Sequence, residues 1–583
     1  MDDLFADSWL SGEPVYVGDL DRCRPSEALS DDPQPGRWRA MEYDTESFSG
    51  TMLLAGVETG APEVTYPLAV SGWHAISVGL YPYHGQQIEV RTRLSSENTF
   101  SMLKLGAPDL TNRAQEIHEM FWRFADLTGQ GILLGQIAHQ VASGGDMGSV
   151  KGSPAHIAYI KLVPLSEAEI DMLQDDRQRT NTKRLFAHND AHGIHYGFRP
   201  TTAEEIRRHI EPFRDSDFGR LCWEAGGGDL LQYLSNVGRR STFDGLKDFG
   251  PQGYRMLAES WRAFRDQGID PFQVALDYTH EIGMEFHVGY RVTGFYYPPP
   301  FDYFNFGTTF YETHPELRSV DRDGNVAPRI SYAYPEVRDY VLSVMREIAQ
   351  YDIDGISLLY NRRPPFVEYE APIVKGFKSE YGEDPRQIDE TDPRWLLYRA
   401  RTMTQFMREL RETLDDEAKK QGRRKIEVSA VVLRNEEENL YNALDLKAWI
   451  EQGLVDTIVP YTSRPNLDSK QKSWTDAGEI EWFVTLTKGT PCRLALNLMP
   501  RQQSAEDFRR MANLIYEAGV EDLFFWDGDT GRANFRTSFS ALRRLGHREE
   551  IASWAMAGEK PLSAPRVTLR RLGDWDLSYD TPG

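Results

Sequence analysis

The chain has 583 residues, too many for one hydrophobic core, and its 40% hydrophobic and 27% charged residues are the balance of a globular protein of two or three domains. A formal net charge of −23 excludes nucleic acid or an anionic membrane as the main partner, because the surface repels phosphate and the basic clusters, such as Gly422-Arg423-Arg424-Lys425, are short. Cys23, Cys222 and Cys492 lie far apart, giving neither a disulfide framework nor a thiolate metal site, and no run approaches the roughly 18 apolar residues of a membrane span.

The start, Met1-Asp2-Asp3-Leu4, is acidic and lacks a signal-peptide pattern, which leaves the compartment open between cytoplasm and secretion with a removed leader. Residues 1–165 read as an all-β sandwich. Runs such as Trp73-His74-Ala75-Ile76-Ser77-Val78 and Ile88-Glu89-Val90-Arg91-Thr92 are short, alternate apolar with polar, and are separated by Gly, Pro, Ser and Asp. A polar linker helix is expected over 166–183. From 184 to 550 short apolar runs alternate with amphipathic helices, as βα units do around a parallel sheet. The expected strands are 184–187, 220–223, 285–289, 355–360, 426–433, 457–461, 493–498 and 523–526.

Helix boundaries between these runs are well marked. Asp270-Pro271 opens one helix and Gly283 closes it; Ser504 and Asp507 resemble a capping box, with Gly519 at the far end. Val337, Val341, Val344, Met345 and Ile348 make one apolar stripe. Eight such units predict an α/β fold, a (β/α)8 TIM barrel, and no GxGxxG follows a strand to favour a doubly wound sheet. Residues 551–583, with Arg566-Val567-Thr568-Leu569, read as an extension that packs back on the other domains.

Several segments resemble a family 10-like set of glycosyl-hydrolase-like barrel proteins. They are His314-Pro315-Glu316 before Asp321-Arg322-Asp323-Gly324, the helix opening Tyr334-Pro335-Glu336-Val337-Arg338-Asp339-Tyr340, and Asp354-Gly355-Ile356-Ser357-Leu358-Leu359-Tyr360-Asn361-Arg362-Arg363-Pro364. Leu444-Asp445-Leu446-Lys447-Ala448-Trp449 followed by Ile458-Val459-Pro460-Tyr461 adds a further match. The resemblance implies a carbohydrate-active barrel. It also implies an acid at the end of the fourth strand, a position that Leu359 takes here, so catalytic carboxylates must stand on other strands if there is hydrolysis.

In such barrels the chemistry lies at the C-terminal strand ends. The carboxylates that follow apolar runs are Asp190, Glu224, Glu436 and Asp527, and a glycosidase needs two across the scissile bond. Each can equally cap a loop or pair with an arginine. Groups able to contact sugar hydroxyls are His188, Asn189, His287, Tyr290, Arg291, Tyr360, Asn361, Arg362, Arg434, Tyr461, Asn497 and Trp526. Arg291, Arg362, Arg434 and Arg464 could bind an anionic sugar or serve the neighbouring acids. Glu368 and Glu370, in a longer loop, are reserve candidates.

No cofactor is implied. Three functions compete: a two-carboxylate glycoside hydrolase on an oligo- or polysaccharide, a non-hydrolytic carbohydrate-binding barrel suggested by Leu359, and a metal-assisted lyase or hydrolase on His188, Asp190 and His192. The abundance of strand-end carboxylates favours the first. Nothing in the sequence bears on oligomeric state.

Overall fold

The computed structural model describes residues 9–82, 87–105, 116–140, 150–244, 252–299, 302–462, 477–498, 504–526, 542–560 and 565–577, with isolated positions between them. Eight parallel strands form a closed sheet, in the order Leu185–Asn189, Phe218–Gly227, Glu285–Arg291, Gly355–Leu359, Glu427–Val432, Thr457–Pro460, Arg493–Asn497 and Asp522–Phe525. The first strand pairs with both the second and the eighth, which closes the barrel expected from the sequence.

Strand alternation sorts every side chain here. Leu221, Trp223, Val288, Tyr290, Leu358, Tyr360, Ala430 and Val432 point outward into the main core, beneath helices such as Pro335–Ile348 and Pro393–Lys420. Phe186, Cys222, Leu359, Val431, Val459, Tyr461, Ala495, Phe524 and Trp526 form a separate cluster on the inner face. Leu359 is therefore part of the apolar belt that fills the barrel.

Below that belt lies a charged layer. Arg220, 1% exposed on its side chain, reaches Glu285 at 2.8 Å and Glu427 at 2.7 Å, and Arg493 binds Asp522 at 2.8 Å. Gly355 in the Asp-Gly-Ile motif has a packing reason, since a Cβ there would lie 2.3 Å from the His287 ring. The motif's Asp354 accepts the Phe286 amide at 2.7 Å and meets His280 Nε2 at 2.9 Å, tying the fourth strand to the third.

The N-terminal region is antiparallel β. A four-stranded sheet (Val64–Pro67, Gly131–Gln136, Ile88–Leu94, Ser101–Leu105) packs on a larger one through Trp38, Ile76, Val78, Trp122 and Ile160. The larger sheet closes on itself. Arg566–Leu572, from the far end of the chain, pairs with Glu116–Asp126 on one side and Trp38–Thr45 on the other. Tyr43, Met52, Ile117, Tyr159 and Leu569 make a second core on that sheet's opposite face.

The helix Glu167–Gln178 joins the two regions, opened by a capping box of Ser166 and Glu169. Its Leu173 packs with Ala75, Phe124 and Val163 of the N-terminal sheets, while its Asp176 binds Arg544 at 2.7 Å and His547 at 2.9 Å from the barrel side. Among the described residues no helix is long and apolar enough to cross a membrane.

Candidate active site

The C-terminal mouth of the barrel is polar, and its inward-facing groups come from most of the strands. His188 ends the first strand with 0% of its surface exposed, and its ring stacks on Trp526 at 4.0 Å and 15°. Trp526, just past the eighth strand, is met edge-on by Tyr461 at 5.1 Å and lies 4.8 Å from the Arg362 guanidinium carbon. Glu224, 1% exposed, is fixed by Arg291 Nε at 2.6 Å, while its other oxygen stands 3.5 Å from His188 Nε2. For Arg291, burial works against the charge, but Glu224 and then Asp190 outweigh it and hold the guanidinium firmly protonated.

The glycine run after Glu224 makes the Arg291 contact possible. Gly226 and Gly228 sit at φ 94° and 55°, and a Cβ on Gly227 would lie 2.5 Å from that of Arg291. A side chain on Gly227 would therefore push the third strand away at Arg291, while Gly226 and Gly228 let the chain turn beside Leu230 and Gly294.

Asp190 leaves the first strand through a strained turn, Ala191 having φ 51° and ψ −40°. Its Oδ1 accepts the Gly193 amide at 2.7 Å. Asp190 and Glu224 line one cavity of about 280 Å³ together with Arg291, Gln232 and Arg363. Its wall is aromatic, with Tyr196, Phe243, Tyr254, Tyr297 and Phe304. Arg363, also at positive φ (51°), places its guanidinium 4.8 Å from the Tyr297 ring centre.

Several buried polar atoms at this mouth have no hydrogen-bond partner: both ring nitrogens of His188, both amide atoms of Asn361 and of Asn497, and one oxygen of Glu224. Buried polar groups are almost always paired. Of these groups Glu224 also lines the cavity.

Other anticipated residues fall elsewhere. Tyr290 and Tyr360 have outward parity: Tyr290 donates to the Gly228 carbonyl at 2.9 Å, and Tyr360 meets Met407 Sδ at 3.2 Å beneath the helices. His287 lies deeper, beside Arg220, Glu285 and Glu427 near the opposite end of the barrel. Burial, then Arg220, pushes it down to about 4, so it is neutral there. Asn189 is buried and caps its own turn, accepting the Ala191 amide at 2.8 Å. Arg434 binds Glu479, and Glu436 is exposed at the start of a short helix. Glu368 and Glu370 share the Ser319 hydroxyl away from the cavity. Asp527 and Arg464 lie outside the described residues.

The sequence offers His188, Asp190 and His192 as one candidate metal site. His192 instead stacks on Tyr196 at 5.7 Å. Among the described residues the one group of three His, Cys, Asp or Glu ligand atoms within 4.8 Å of each other is Glu285, His287 and Glu427. That group already holds a cation, the Arg220 guanidinium bridging both carboxylates, so its donor set does not suit a metal ion.

The reading of strand ends missed Gln232 and the aromatic wall. Tyr196 stands on the short helix His192–Phe198 and Tyr254 on the helix Gln252–Gln267, while Phe243, Tyr297 and Phe304 come from connecting segments; the sequence signal for the last two is the aromatic-rich Phe295-Tyr296-Tyr297 to Tyr303-Phe304-Asn305-Phe306 stretch.

Residues 253–496 match the family model described as glycosyl hydrolase-like 10, which supports a carbohydrate-active function. The match begins after Asp190 and Glu224 and includes Arg291, Asn361 and Arg362. No curated protein matches the chain. Among solved structures, the PgaB (BpsB) glycoside hydrolase domain from Bordetella bronchiseptica is 12% identical, with a TM-score of 0.41 over 62% of this chain and 98% of that one. Alpha-L-fucosidase isoenzyme 2 from Paenibacillus thiaminolyticus is also 12% identical, with a TM-score of 0.38 over 64% and 49% of the two chains. The C-terminal domain of a putative chitinase from Desulfitobacterium hafniense DCB-2 is 11% identical, with a TM-score of 0.35 over 63% and 99%.

Proposed function

We propose that the protein is a glycoside hydrolase acting on an oligo- or polysaccharide at the C-terminal mouth of the barrel, with Asp190 and Glu224 as its carboxylates. The observation that carries this reading is the set of buried strand-end groups without a hydrogen-bond partner, His188, Asn361, Asn497 and the Glu224 oxygen that faces His188, at a mouth whose cavity holds both acids. Amides and an imidazole offer the donors and acceptors that sugar hydroxyls need, and aromatic faces such as Tyr254 and Phe304 suit the apolar faces of pyranose rings.

Two of the strand-end arginines are already committed, Arg291 to Glu224 and Arg434 to Glu479, so the reading does not require an anionic sugar. Neutral, carboxylated and sulfated glycans all belong in a substrate panel. On a substrate found that way, Asp190→Asn and Glu224→Gln should each lower kcat on the order of 10²-fold or more with the fold intact. Glu436→Gln should leave turnover unchanged, because that side chain is exposed at a helix start. Two amide variants with wild-type turnover would refute the assignment. Leu359 supports one alternative, a barrel that binds glycans without cleaving them; calorimetric binding of an oligosaccharide that is never hydrolysed would favour it.

A further inference from the structure

We propose that His188 is the acid of this site, giving its proton to the leaving oxygen while Glu224 serves as its counter-ion and Asp190 as the base. The inference rests on the hydrolytic reading above and assigns roles within it.

Hydrolysis with a poor leaving group needs one group that presents a proton. Neither carboxylate is placed to do so. Glu224 is ion-paired with Arg291 at 2.6 Å, and Asp190 accepts the Gly193 amide at 2.7 Å. The fourth strand offers Leu359 within the apolar belt and then the amide Asn361, neither of which can donate a proton to sugar oxygen as an acid.

His188 remains. It is fully buried, its Nε2 lies 3.5 Å from the free oxygen of Glu224, and its ring is held flat against Trp526. Neither ring nitrogen has a hydrogen-bond partner, so Nδ1 is left over for a ligand while Nε2 faces the carboxylate. A carboxylate behind an imidazole fixes the ring and stabilises its cation, a division of labour known from catalytic triads. Among the described residues, the other charged groups around the ring are Arg291 beyond Glu224, Arg362 on Trp526, and Asp190 two residues along the chain.

The step balances without a further reactant. The bond between the anomeric carbon and the leaving oxygen breaks, and that oxygen takes the His188 proton. Water bonds to the anomeric carbon, and its proton goes to Asp190. Solvent then returns a proton to His188 and removes one from Asp190, with inversion at the anomeric carbon.

The test is leaving-group dependence in His188→Asn, which keeps a polar group of similar reach and cannot act as an acid. A nitrophenyl glycoside departs without protonation, whereas an alkyl glycoside or the natural oligosaccharide needs it. The variant should hold the nitrophenyl substrate within about fivefold of wild type and lose on the order of 10²-fold or more in kcat on the alkyl one. NMR of the first-formed product should show inverted anomeric configuration. Equal losses on both substrates, turnover of both at the wild-type rate, or retained configuration overturns the assignment of His188 while leaving the hydrolase reading standing. A wild-type protein that hydrolyses none of the glycans overturns both.

Discussion

Glu224 and Trp223 are neighbours in sequence yet serve opposite sides of the barrel wall, and that parity governs what each residue can do. Tyr290 has Trp223's parity. Its phenol donates to the Gly228 carbonyl, so Tyr290→Phe should cost about 1 kcal/mol of stability and leave KM unchanged, as urea unfolding and steady-state kinetics would show. A raised KM at unchanged stability would place the ring in the site instead. Leu359 has Glu224's parity but sits within the apolar belt with Phe186, Val431 and Phe524. Leu359→Asp restores the family's acid in chemistry only. It buries an unpaired carboxylate and should cost on the order of 3 kcal/mol or more without raising kcat. A gain in turnover with stability retained would show that the belt tolerates the charge.

At the scale of elements, the strand Arg566–Leu572 does unusual work for a C-terminal segment. It closes the larger N-terminal sheet by pairing with strands more than 400 residues earlier, and it covers Tyr43 and Ile117 with Leu569. Truncation after residue 560 should therefore open two strand edges and an aromatic core, lowering the yield of soluble protein and increasing binding of a hydrophobic dye. A truncated chain with an unchanged melting temperature would show that the ring closure is dispensable. Helix ends contribute on a smaller scale. Asp270 accepts the Phe272 amide at 3.0 Å ahead of Pro271, and Asp270→Ala should cost about 1 kcal/mol in chemical denaturation.

Across the whole molecule, the joint between the N-terminal region and the barrel is electrostatic at its centre. Asp176 on the connecting helix and Asp217 before the second barrel strand grip His547 at 2.9 and 2.7 Å. Burial pulls the imidazole down, but these two carboxylates outweigh it and raise it to about 9. The folded value lies above the ordinary 6.5, so protonation stabilises the folded protein: the contribution is complete below about pH 6.5 and is lost as pH rises through 9. A shift of that size corresponds to roughly 3 kcal/mol. The melting temperature should fall between pH 6.5 and 9.5, and His547→Gln should flatten that decline. A profile of equal slope in both proteins would assign the pH dependence to other groups.

Periodicity, helix caps and the Asp-Gly-Ile motif determined the barrel from the sequence alone, because each is a short-range pattern that a parallel βα unit requires. The same reading found His188, Asp190, Glu224, Arg291, Asn361, Asn497 and Trp526 as polar or aromatic groups at strand ends, and the structure brings them to one mouth. It could not separate these from Tyr290, Tyr360 and His287, because a strand end read from an apolar run is uncertain by a residue or two and one residue reverses the side a side chain faces. The aromatic wall from Tyr196, Tyr254 and Phe304, the closure by Arg566–Leu572 and the His547 joint were decided only by tertiary structure. Each joins residues tens to hundreds of positions apart. Local sequence carries patterns of alternation and capping, whereas contacts of that range exist only once the packed elements have set which surfaces meet.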